Sequence, residues 1–397
     1  AGYMTDAYSL SKNLLTRTAG PYMTLDRYGY KVFSCRIGIL LLAFSVFKSS
    51  LALALPVQLL PNKEGRGAPP CDFSIETQAN GFWEGTSATF IEEYFPKIPL
   101  RLTSPTLRAL RDEVLKEKVE ALLTDPSYQE KLFDLLVKSG DLVSAENFLV
   151  SSTLSDKENG FLNLFYWEGK PEKACEKVAN LMRISPSLEI RAQNVYCLYL
   201  NGEKERAKIA LELLNESDKT VQPLLNELFD PSVTPTFENA MGSSPFLLTL
   251  WCALQKEIPE KDLRTLPPVA LVLIANTEKM PQETRHLAAE LALEYGLTTR
   301  PDVQLPKRRE LQNSAHVQEL LEGRGEYGGK DLELLECAAK NKYKGEVLLL
   351  TLSLVGETPL KDIPSARLTS LLKALTKVGY DQQAKTLAAE YLMAKDL

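Results

Sequence analysis

At four places in the later part of this chain a glycine is followed five positions on by an alanine, with the pair between two apolar helical stretches. The copies are Gly140-Asp141-Leu142-Val143-Ser144-Ala145, Gly169-Lys170-Pro171-Glu172-Lys173-Ala174, Gly202-Glu203-Lys204-Glu205-Arg206-Ala207 and, near the end, Gly379-Tyr380-Asp381-Gln382-Gln383-Ala384. The first three glycines are 29 and 33 residues apart. Glycine permits the left-handed conformation that ends a helix. Alanine lacks the bulk to hold the next helix away, so each copy codes for a tight helical hairpin. Hairpins of this kind bury a shared core by stacking, which no single pair achieves alone.

The flanking sequence agrees with a helical reading. Ser104-Pro105 offers a capping hydroxyl followed by proline in the first turn. Leu107, Leu110, Val114 and Leu115 follow at helical spacing. Further starts stand at Asp125-Pro126, Ser185-Pro186, Ser244-Pro245, Met280-Pro281 and Ser365, with ends at Gly140, Gly202, Gly296 and Gly379. Strand-period stretches are scarce. Leu348-Leu349-Leu350-Thr351-Leu352 has flanks that suit a buried helix better. Leu266 to Ala275 is uncharged and reads as a buried helix, and Asp381–Met393 as an amphipathic closing helix. The stretches 216–260 and 297–330 read as loop-rich. The expected fold class is all-α, a stack of helical hairpins.

This pattern resembles the tetratricopeptide repeat, whose turn has the same glycine-to-alanine spacing. The 33-residue step is close to that repeat's period of about 34, and Pro186 falls where the repeat ends in proline. Seven positions before the turn glycine the repeat has a small residue, whereas this chain has Phe133, Leu162 and Val195, so regular superhelical geometry is not implied. The resemblance covers about residues 127–215 and implies an α-solenoid that holds proteins or peptides. Phe82-Trp83-Glu84-Gly85, Ser104-Pro105-Thr106-Leu107, the Cys175 and Cys197 repeats, Arg285-His286-Leu287-Ala288-Ala289-Glu290 and the Gly379–Met393 helix also resemble a family of exported helical proteins of alphaproteobacteria. That resemblance implies an architecture and a compartment and carries over no catalytic residue.

The front of the chain reads as an export signal. Arg27, Lys31 and Arg36 precede eleven apolar-run residues, Ile37 to Phe47, and Ala52-Leu53-Ala54 closes the segment. Cleavage after Ala54 is expected, with Met4 or Met23 as the start. A spanning helix needs about 20 apolar residues, and Lys48, Ser49 and Ser50 interrupt Ile37–Ala54. No stable membrane span is therefore expected after cleavage. Residues 55–71 hold Pro56, Pro61, Pro69 and Pro70 and read as a linker. The organisation expected is a signal peptide with upstream extension over 1–54, a linker and irregular segment over 55–103, tetratricopeptide-like repeats over 104–230 and a C-terminal helical-repeat region over 231–397. The location expected is periplasmic or secreted, in a Gram-negative bacterium.

Net charge is −6, and −10 once residues 1–54 are set aside. Such a surface repels phosphate backbones and argues against nucleic acid as a partner. Lys307-Arg308-Arg309 is the one compact basic run and reads as a solvated loop. Of six cysteines, Cys175 follows a repeat alanine and Cys197 lies on the next hairpin's first helix, five residues before Gly202. In an oxidising compartment these two form a disulfide; otherwise they are buried thiols. Cys71, in the linker, is the exposed thiol candidate.

Candidate chemistry is thin. His286 and His316 are the two histidines, isolated and on helices. Gly323-Arg324-Gly325-Glu326-Tyr327-Gly328 spells the dinucleotide pattern with no strand before it, and reads as a loop. Glu92-Glu93 and Glu333/Glu336 read as solvated helix faces. Asn215-Glu216-Ser217 is a glycosylation sequon only in a eukaryote. No catalytic, cofactor or metal site is expected. Two functions fit: a non-enzymatic scaffold for protein–protein interaction in the cell envelope, or an accessory or catalytic component of peptidoglycan remodelling. Under the first, Trp167 and Tyr199, beside the turns, are the candidate partner contacts among Phe165, Tyr166, Trp167, Tyr196 and Tyr199.

Overall fold

The computed structural model describes residues 81–397 apart from 118, 120–121, 185, 215–220, 234, 298–307, 309, 326–327 and 396–397. The chain divides into two units, Ala1–Lys63 and Glu64–Leu397, and every described residue belongs to the second. The expected signal peptide, the 55–71 linker, Cys35, Cys71 and the Asn215 sequon lie outside the described residues. Those residues form nineteen α-helices and short 3-10 turns, with no β-strand element among them. The chain is all-α.

Three consecutive hairpins follow the glycine code. They are α3 (Pro126–Ser139) with α4 (Leu142–Ser151), α5 (Lys157–Trp167) with α6 (Pro171–Ile184), and α7 (Leu188–Leu200) with α8 (Lys204–Glu212). Gly140, Gly169 and Gly202 take φ of +92°, +68° and +80°. The next residue's N–H then reaches back to a carbonyl five positions earlier: Asp141 to Leu136, Lys170 to Phe165, Glu203 to Leu198. Ala145, Ala174 and Ala207 are fully buried. Each helix packs on the next in order from α3 to α8. Side-chain caps open several of them, with Asp125 accepting from the Ser127 N–H, Asp141 from Ser144 and Ser187 from Ile190.

The segment after these hairpins carries more helix than its prolines suggest. It forms α9 (Val221–Glu227), α10 (Asn239–Ser243), α11 (Pro245–Ala253), α12 (Glu260–Leu263), α13 (Pro268–Asn276) and α14 (Gln282–Glu294). Pro245 and Pro268 sit in first turns, where a missing N–H is harmless. α11 lies against α5 and α9, and α13 lies against α3, α5 and α14. Phe246 of α11 places its ring 5.6 Å from that of Tyr166 and 6.0 Å from that of Tyr196. Leu273 packs on Gly169 and Leu297 on Gly140. α11 and α13 therefore pack directly on the hairpins that precede them.

Three further helix groups close the chain. α15 (Ala315–Glu322) packs on α18 (Ser365–Lys377) and α19 (Asp381–Ala394), while α16 (Lys330–Asn341) pairs with α17 (Lys344–Val355). The α18–α19 turn is the fourth copy of the code, with Gly379 at φ +91°, Tyr380 N–H on the Leu375 carbonyl and Ala384 buried. The α16–α17 turn has the same hydrogen bond, Tyr343 to Ala338, yet its left-handed residue is Lys342 at φ +63°. Val347 takes the place of the alanine there, fully buried.

The N-terminal segment docks on these last helices. α1 (Ala88–Tyr94) and α2 (Pro105–Lys116) lie against α17, and α2 also against α19. Trp83, 3% exposed, packs on Gly345, and its indole N–H donates to the Glu117 carbonyl at 3.2 Å. Tyr94 donates to Asp331 and Tyr380 to Glu113, both at 2.5 Å. Glu390, buried on α19, accepts from the hydroxyls of Ser104 and Thr106 and pairs with Arg308 at 3.1 Å. Within the segment read as irregular, Trp83, Phe90, Ile91, Tyr94 and Phe95 are core residues. One expectation is corrected here. Arg308 is no solvated loop residue, because a buried carboxylate holds it.

Candidate functional site

Cys175 and Cys197 are joined by a disulfide between α6 and α7, with Cα atoms 5.3 Å apart. The bond ties one hairpin to the next. Cys337 is disulfide-bonded as well. Cys252 is a free, buried thiol that burial pushes up to about 12, far from a reactive thiolate.

The aromatic residues singled out beside the turns divide differently from the expectation. Trp167 is 5% exposed, so it is a core residue and not a partner contact. Tyr199 is half-buried, its ring edge-on to Phe229 at 5.4 Å with the Lys204 ammonium 5.5 Å from its centroid. Tyr166 and Tyr196 are buried under Phe246, and Phe165 is partly buried beside Lys173. The physical reason is α11. An open repeat array would leave the inner faces of its first helices to solvent, and here α11 and α13 fill that space.

The large apolar residues that the hairpins do expose are different ones. Val150 at the end of α4 is 68% exposed, Ile184 at the end of α6 80%, and Leu213 just past α8 70%. Leu188, the first residue of α7, is 40% exposed. In antiparallel hairpins these ends share one edge, the edge opposite the glycine turns. Val143 and Ile209 are exposed on the same second helices. Isolated exposed apolar residues are ordinary, whereas a succession along one edge is a candidate contact surface. Sequence reasoning could have found it: Val150, Ile184 and Leu213 fall off the buried face set by Ala145, Ala174 and Ala207.

That edge runs into a cavity of about 320 Å³ where Leu188, Ala192, Leu214, Leu225 and Phe246 meet. Glu189 lines it as well. A second, more polar depression of about 280 Å³ holds Arg101, Arg264, Tyr295 and Glu357. Arg101 is committed there to Glu357 at 2.8 Å and to the Arg264 carbonyl at 2.7 Å.

The remaining candidates stay apart. His286 is exposed and 3.3 Å from Glu290 one turn along, and His316 is exposed in the first turn of α15. Of the glycine loop, Gly323 accepts from Lys373 at 2.6 Å and Gly325 packs on Ser370. No strand precedes that loop among the described residues. Glu92 and Glu93 are exposed, the latter 3.4 Å from Lys97 and 3.5 Å from Lys330. Glu333 and Glu336 both lie on α16. Among the described residues no cluster of three metal-ligating side chains occurs, and no helix is long and apolar enough to cross a membrane. On α17, burial alone pushes the Glu346 carboxyl up to about 7. Compared with known proteins, the chain matches no family model, no curated protein and no solved structure.

Proposed function

We propose that this chain is an exported, non-enzymatic scaffold that holds a protein partner in the cell envelope. Its hairpins act as a tetratricopeptide-like solenoid whose inner face is occupied by the chain's own α11 and α13. The partner therefore sits on the outer edge. The observation that carries this reading is the line of exposed Val150, Ile184, Leu188 and Leu213 beside an apolar cavity. The bond between Cys175 and Cys197 supports export, because such bonds persist in oxidising compartments such as a bacterial periplasm.

Crosslinking in the source cell, followed by mass spectrometry, tests the reading. One protein should be recovered repeatedly with the native chain and lost with the triple variant Val150→Glu, Ile184→Glu, Leu213→Glu, whose circular dichroism stays native. A crosslinked set indifferent to those charges overturns the edge as the binding surface. Incubating the chain with peptidoglycan should release no soluble fragments. Release that one Glu→Gln change abolishes would replace the scaffold with an enzyme.

A further inference from the structure

We propose that the outer layer formed by α4, α6 and α8 takes a second copy of this chain, joined face to face about a two-fold axis that runs along α6. The inference rests on the protein-binding reading above and names the partner.

Packing defines the layer. α4, α6 and α8 pack on the first helices beside them, while α11 and α13 pack on α3 and α5. The outward faces of α4, α6 and α8 are left to solvent. Among the described residues, every large apolar side chain that stands exposed falls between Leu123 and Leu213. Val143, Val150, Ile184, Ile209 and Leu213 lie on these three helices or at their ends. Such a concentration, on a chain whose other exposed surface is polar, is the usual mark of an interaction face. The helices are 10, 14 and 9 residues long. At about 1.5 Å per residue and about 10 Å across, they present roughly 500 Å² in projection. Side-chain relief raises that toward the ~800 Å² that each partner gives to a stable interface.

Charge then selects the partner. Residues 55–397 carry a net −10, so two copies repel each other over most of their surface. The three helices of the layer are the exception, with five acidic and six basic residues between them. Two copies can therefore meet there without that repulsion. The sign also changes across the layer. The charged residue of α4 is Glu146, which is exposed, whereas α8 has Lys204, Arg206 and Lys208 against Glu205 and Glu212.

Symmetry uses that change of sign. A two-fold contact presents the same patch from both copies and closes on itself. With its axis along α6, the middle helix, α4 of each copy lies across from α8 of the other, so the acidic side meets the basic side twice. The exposed ends then meet as well. Ile184, 80% exposed, faces its own copy, and Val150 faces Leu213 of the second copy.

The test uses the full chain, with mass read by sedimentation across a range of concentrations. The native chain should be a dimer. Ile184→Glu places two carboxylates against each other on the axis and should weaken the dimer at least about a hundredfold. Its circular dichroism and thermal midpoint should stay native, since Ile184 is outside the core. Ile184→Cys should crosslink to itself under mild oxidation by diamide. Val150→Cys and Leu213→Cys should crosslink when the two variants are mixed, and neither should do so alone. A monomer at every concentration, a dimer indifferent to Ile184→Glu, or crosslinking of Val150→Cys to itself overturns the arrangement. In-cell crosslinking separates the two levels. A monomeric chain that still captures a different protein, lost with the triple edge variant, overturns the second copy and leaves the scaffold standing.

Discussion

Lys342 holds a left-handed conformation at φ +63° where the other hairpin turns place glycine. A side chain in that region costs about 1–2 kcal/mol, and glycine gives back about 0.5–1 kcal/mol through its unfolded-state entropy. Lys342→Gly should therefore stabilise the chain by about 0.5–1 kcal/mol, visible as a raised urea midpoint at unchanged slope. A lowered midpoint would mean that the lysine side chain makes a contact worth more than the backbone relief. Glu346 gives a second residue-scale effect. Its carboxyl is raised to about 7 by burial, against an ordinary glutamate value near 4.3. Between those values the folded chain holds a proton that the unfolded chain has released, so stability falls as pH rises through this window and is constant above it. Glu346→Gln should match the native chain near pH 4 and exceed it at pH 8 by about 1–3 kcal/mol. Equal midpoints at both pH values would show that the carboxylate is solvated.

At the scale of elements, the disulfide between α6 and α7 links neighbouring hairpins covalently, closing a separation of 22 residues. Loop closure of that size limits the unfolded chain by about 3 kcal/mol. The double variant Cys175→Ala, Cys197→Ala should lose about 2–4 kcal/mol by urea unfolding, a comparison that leaves the bond at Cys337 intact. A loss under about 1 kcal/mol would place the stability of the α6–α7 contact in packing alone. This element scale is also where the sequence was most legible. Gly140, Gly169, Gly202 and Gly379 announce their turns because the code is local: a left-handed residue, then a small one on the next helix. The α16–α17 hairpin has the same backbone hydrogen bond and was invisible, since Lys342 and Val347 replace both letters. α9 and α10 were hidden for a different reason. Pro223, Pro231 and Pro235 read as breakers, although Pro223 is accommodated early in α9, whereas Ser244-Pro245 announced the start of α11. The apolar edge was missed because attention went to aromatic residues near the turns, and Trp167 could be assigned to surface or core only by knowing what lies opposite it.

For the molecule as a whole, the decisive contacts join residues far apart in sequence. Ser104 and Thr106 reach Glu390, Tyr94 reaches Asp331, and Phe246 sits between Tyr166 and Tyr196. Local periodicity cannot encode such pairings, which is why stacked hairpins were the natural expectation and the packing of α11 and α13 on them the finding. The two arrangements respond differently to one substitution. On an open array Phe246 would belong to a separate C-terminal layer, and its removal would leave α5 and α7 untouched. In the filled arrangement Phe246, 2% exposed, is the piece on which both helices close. Phe246→Ala should then lower stability by about 3–5 kcal/mol, the range for emptying a buried aromatic site. Amide hydrogen exchange should show the protection of α5, α7 and α11 falling together, since elements that share one cooperative core open with it. Loss of protection confined to α11, with α5 and α7 as slow to exchange as in the native chain, would mean that the hairpins stand without their inner packing.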